Sequence, residues 1–137
     1  MNETLLYYPY VSINLLNKPI MISPDMSMGL GSIVFALAKA DGSVQQDEIQ
    51  AVREALSRER HGDVALHTFF IQTNCGETAE DAYAFGMRKL RYTSAKLENA
   101  TKKYLLDVVC QVAGAHKAIS VQEETLIDQF AQDLKQL

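Results

Sequence analysis

Little in this chain of 137 residues is set aside for covalent or membrane chemistry. Its two cysteines, Cys75 and Cys110, form no CxxC pair, which argues against a disulfide scaffold or a cysteine-rich zinc module. Both are expected as reduced, largely buried thiols. His61 and His67 have no cysteine near them in sequence, so no zinc site is assigned there. No apolar run approaches the ~20 residues that a membrane span needs. The start, Met-Asn-Glu-Thr, has no basic region and no long apolar stretch, so no secretory leader is expected and the location is read as cytoplasmic. Basic residues are in the minority, 13 Lys and Arg against 17 Asp and Glu, for a net charge of −4. That balance argues against a nucleic-acid partner.

Catalytic signatures are missing too. There is no P-loop, dinucleotide fingerprint, HExxH, nucleophile elbow or kinase signature, and no His-Pro-Asp tripeptide of J-domains. No catalytic residue is assigned and the chain is expected not to be an enzyme. An enzyme with an unrecognised site is kept as an alternative.

What the chain does have is an internal repeat. The stretch Leu30–Leu56 returns 75 positions later as Leu105–Ala131, without a gap. Leu30, Ile33, Val34 and Leu37 become Leu105, Val108, Val109 and Val112, while Ala38 becomes Ala113 and Glu48 becomes Glu123. Each copy reads helix, turn, acid-capped helix. A helix pair cannot bury its apolar stripe alone, so the two pairs are expected to share one core.

The spacing predicts an all-α bundle. Ser23-Pro24-Asp25 suits an N-cap, a first helical position and a first-turn acid, for a helix from Pro24 to Lys39. Gly29 and Gly31 within it cost about 1 kcal/mol each relative to Ala, which calls for a closely packed neighbour. A second helix starts near Gln45 or Gln46 and carries Ile49, Val52, Ala55 and Leu56. Residues 64–73 read as a short helix, with a strand as the alternative. Thr78-x-x-Asp81 starts a helix from Ala79 to about Tyr92 with Ala82, Phe85, Met87 and Leu90 inward. Ser94 is read as the cap of a long helix, Ala95–Ala115. Ser120-x-x-Glu123 is a capping box for the last helix. Residues 1–22 are set apart as an N-terminal arm, either a small β-hairpin turning at Asn17-Lys18-Pro19 or an irregular segment. Residues 23–137 form a single helical domain.

The joint between the first two helices holds the candidate site. Asp41, Gly42, Val44 and Glu48 fall at positions five, six, eight and twelve of an EF-hand loop. Positions one and three are Leu37 and Lys39, which supply no oxygen ligand. Two readings stay open. In one, Gly42 makes the turn, Val44 fills the core and Glu48 caps the helix. In the other, Asp41 and Glu48 hold a weak divalent cation. The second copy places His116 and Lys117 where the first has Asp41 and Gly42, which removes an acid. From Arg88 to Lys103, six basic residues stand against one acid, with Tyr92 and Tyr104 interleaved. They read as a solvated surface of two helices, with a phosphate-binding face as the alternative.

The string Ala38-Lys39-Ala40-Asp41-Gly42-Ser43-Val44 followed by Glu48, with its degenerate copy ending Ile119-Ser120-Val121-Gln122-Glu123, resembles the signature of the TerB-like superfamily. That group takes in tellurite-resistance TerB and DjlA N-terminal-like helical domains. The likeness covers roughly residues 27–135. It implies helix hairpins, a stress-response setting, and binding of a protein partner or of metal ions. The implied positions for partner or cation binding are Asp41, Glu48 and Glu123. No cofactor is assigned beyond a divalent cation, and a homo-oligomer is compatible with this reading.

Overall fold

The computed structural model describes residues 20–93, 97–115 and 117–137, and the backbone of Leu6–Tyr7 and Ser12–Ile13. Ser23 sits in extended backbone and accepts the Met26 N–H at 3.1 Å, so α1 begins at Pro24 and runs to Lys39. Gly42, at φ 114°, then turns the chain. The other helices are α2 (Gln46–Leu56), α3 (Gly62–Cys75), α4 (Ala79–Arg91), α5 (Asn99–Ala113) and α6 (Val121–Lys135). Together they span well over half the chain, which makes the fold all-α as the spacing predicts.

α1 is the axis of the molecule. Its expected stripe was Leu30, Ile33, Val34 and Leu37, yet Ser32, Phe35 and Ala36 are buried as well. A helix buried on all sides must have neighbours all round. α1 packs against α3 and α4 most extensively and also meets α5 and α6. The glycines make this possible. A Cβ on Gly31 would lie 2.2 Å from the Ala65 carbonyl oxygen of α3. Gly29 and Gly86 face each other across α1 and α4, where a Cβ on Gly86 would lie 2.9 Å from the Gly29 carbonyl oxygen. Ser32 Oγ donates to the Ala82 carbonyl at 2.6 Å and accepts from Gln72 Nε2 at 2.7 Å, tying α1 to both neighbours.

The repeats share one core through α1 with α5 and α6, and α2 with α5. Phe35 and Phe69 meet edge to face at 5.8 Å, and Phe130 closes the core from α6.

Three expectations need correcting. The long fifth helix starts at Asn99, not Ala95, because Glu98 is in extended backbone as its N-cap. Ser94 lies outside the described residues. Phe85 does not turn inward; it is half-buried, with Arg88 and Lys89 over its ring at 5.8 and 5.6 Å. Both cysteines are free but exposed, Cys75 as the last residue of α3 and Cys110 on the outer face of α5. In the arm, β1 (Leu6–Tyr7) pairs antiparallel with β2 (Ser12–Ile13), in register Leu6 to Ile13. The turn expected at Asn17-Lys18-Pro19 lies outside the described residues.

Candidate functional site

The two helix joints meet at one place. Glu48, 5% exposed, accepts the Gln45 N–H on Oε1 at 3.0 Å. Its counterpart Glu123, 3% exposed, accepts the Ser120 N–H at 2.9 Å. The Glu123 N–H donates back to Ser120 Oγ at 3.1 Å, completing the capping box. Each carboxylate thus answers an orphan N–H at a helix start and complements the helix dipole. Glu48 and Glu123 line one small cavity, walled by the equivalent residues Leu37 and Val112 and by Ala38 and Ala113.

Asp41 behaves differently. Its Oδ1 accepts from Ser120 Oγ at 2.8 Å and its Oδ2 lies 3.6 Å from Lys117 Nζ. Asp41 therefore reaches into the second repeat. Ser120 serves two partners: its hydroxyl donates to Asp41 while its oxygen accepts from Glu123. Lys117, which breaks the acidic pattern of the second copy, supplies the charge that matches Asp41. This cross-repeat link could not be read from one copy of the motif. Its signal was the pairing of a lost acid with a gained base at equivalent turns. His116 lies outside the described residues.

A hard cation takes six or more oxygen ligands. The cavity offers two carboxylates, each already holding a backbone N–H, and its other walls include Leu37, Val52 and Val112. Leu37 is 1% exposed. The donor set does not complete a hard-cation shell. Among the described residues, no three His, Cys, Asp or Glu side chains are grouped to hold a metal ion. His61 precedes α3 at φ 56° and His67, six residues on, is exposed.

Two other carboxylates hold tyrosines. The Tyr83 hydroxyl donates to Asp133 Oδ2 at 2.5 Å, joining α4 to α6. Burial, reinforced by that carboxylate, pushes the Tyr83 hydroxyl well above the usual phenol range. The Tyr104 hydroxyl donates to Glu59 Oε1 in the turn before α3. Burial raises the Glu59 carboxyl above its ordinary value, against the lowering effects of the Tyr104 bond and Arg58. Lys103 pairs with Asp107 at 2.8 Å in full solvent. Lys96 lies outside the described residues.

No helix among the described residues is long and apolar enough to cross a membrane. No curated protein and no solved structure matches the chain. The family described as Tellurite resistance protein TerB matches residues 27–136, which takes in both helix joints, Asp41, Glu48 and Glu123. With that match over most of its length, and the repeated helix pairs now placed in one core, the chain belongs to the TerB family.

Proposed function

We propose that this chain is a non-catalytic interaction domain, a scaffold in a cytoplasmic stress response of the tellurite-resistance kind. One observation carries the reading. The acids that the family signature singles out are engaged in capping and tying the repeats: Glu48 and Glu123 on backbone N–H groups, Asp41 on Ser120 and Lys117. Side chains occupied in this way support a rigid helical surface for a protein partner. A second reading, weak divalent-cation binding, is favoured by the two buried carboxylates bordering one cavity. Water would have to supply most of the ligands.

Deleting the gene in its native host and challenging with tellurite tests the proposal. Sensitivity should rise, and both wild type and Glu48→Gln should restore growth, since Gln also accepts the capping bond. Unchanged sensitivity would contradict the stress role. Rescue by wild type but not by a folded Glu48→Gln would favour the cation.

A further inference from the structure

We propose that the groove between the end of α1 and the starts of α4 and α6 docks a peptide segment of a protein partner, with a basic residue beside aliphatic ones. This rests on the interaction reading above and names the surface and the partner's chemistry. The groove has a volume of about 520 Å³, within the roughly 300–1,000 Å³ usual for ligand sites. Ala40, Ala79, Leu126 and the Tyr83 ring form its apolar lining. The Tyr83 bond to Asp133 fixes that ring as a wall. Val121 stands at the edge with 79% of its surface in water, and Ile119, two residues earlier, is 43% exposed. Val121 thus adds aliphatic surface to the rim of the groove.

The polar lining sets the sign of the partner. Thr125 Oγ1 donates to the Val121 carbonyl at 2.9 Å. Among the described residues, Glu80, Gln122 and Gln129 have no hydrogen-bond or ionic partner, and Glu80 is the one charged group of the lining. The first turns of α4 and α6 would by themselves favour an anion. Thr78 and Ser120 cap those ends, and Asp81, Glu123 and Glu124 already answer them. The nearby cation Lys117 is matched to Asp41. The free charge facing the groove is therefore that of Glu80, which is negative. A Lys or Arg on the partner complements Glu80. Carboxamides at Gln122 and Gln129 both donate and accept, which suits peptide groups.

The test is a titration of the full 15N-labelled chain with an acetylated, amidated hexapeptide of alternating leucine and arginine. A leucine–glutamate hexapeptide is the control. The amides of Ala79–Tyr83 and Val121–Gln129 should shift with the arginine peptide, at an affinity at least tenfold above that of the control. Thr125→Arg, on the exposed face of α6, should weaken binding more than tenfold, and Glu80→Gln severalfold, with spectra that remain dispersed. Equal affinity for both peptides, indifference to both substitutions, or no shift in these segments would overturn the groove assignment. Shifts confined to another face would remove this site while leaving the interaction reading standing.

Discussion

At the residue scale, small side chains carry specific tasks. Ser120 caps α6 and holds Asp41 at once. Ser120→Ala should lower stability by about 1 kcal/mol, the usual cost of losing a cap, read as a lower urea midpoint at equal m-value. Asp41→Asn should cost little, because its ion pair is partly in solvent. The glycines divide by mechanism. Gly42 has open space around its absent Cβ but a positive φ, so Gly42→Ala is strained by backbone alone, about 1–3 kcal/mol. Gly31→Ala gains about 1 kcal/mol in helix propensity but drives a methyl into the Ala65 carbonyl. Forced apart at its axis, the core should lose more than that gain, and thermal unfolding should show a net drop. A Gly31→Ala protein that melts at or above wild type would show that the α1–α3 approach is not tight.

Glu59 makes a prediction in pH. Burial raises its pKa in the fold, so the native state holds that proton more firmly than the unfolded chain does. Its contribution is fully present below the ordinary value of 4.5 and is lost as pH rises through the raised value. Glu59→Gln keeps an acceptor for the Tyr104 hydroxyl and cannot ionise. Relative to wild type, its urea midpoint should climb as pH increases from about 4 to 8. A constant difference across that range would show that Glu59 does not titrate abnormally.

At the scale of elements, helix starts were legible where a side chain caps the backbone. Ser23, Thr78 and Ser120 each accept the N–H three residues on, as their spacing indicated. α5 was misplaced because Leu97 precedes the helix yet keeps helical spacing to Thr101. Its burial belongs to the loop, and the helix waits for Glu98. Phe85 was assigned inward on apolar character, but Gly86 and Met87 take the packed face of α4 and leave the ring under two cations. The exposure of Cys110 was present in the stripe itself: with Leu105, Val108, Val109 and Val112 inward, position 110 faces out. Both thiols should therefore react with a disulfide reagent in the native protein. Cys110 should react more slowly than after unfolding, since burial and Asp107 raise its pKa. Protection of both until unfolding would contradict the observed exposure.

For the whole molecule, the repeat revealed that two helix pairs share a core, and the equivalent residues Ala38 and Ala113 do border one cavity. What the repeat could not reveal is that α3 and α4, which lie between the copies in sequence, wrap the opposite side of α1. The contact from Asp41 to Ser120 joins residues 79 positions apart, and its sequence signal is confined to the lost acid and gained base at the equivalent turns. We propose that Glu48 and Glu123 cap their own helices and Asp41 links the two repeats, with no cation required. Thermal unfolding of the chain with a chelator and then with excess calcium, magnesium or manganese tests it most directly, because a ligand of the native state raises the melting temperature. The same melting temperature is expected in all four conditions. A rise with one of these metals that disappears in Glu48→Gln or Asp41→Asn would contradict it.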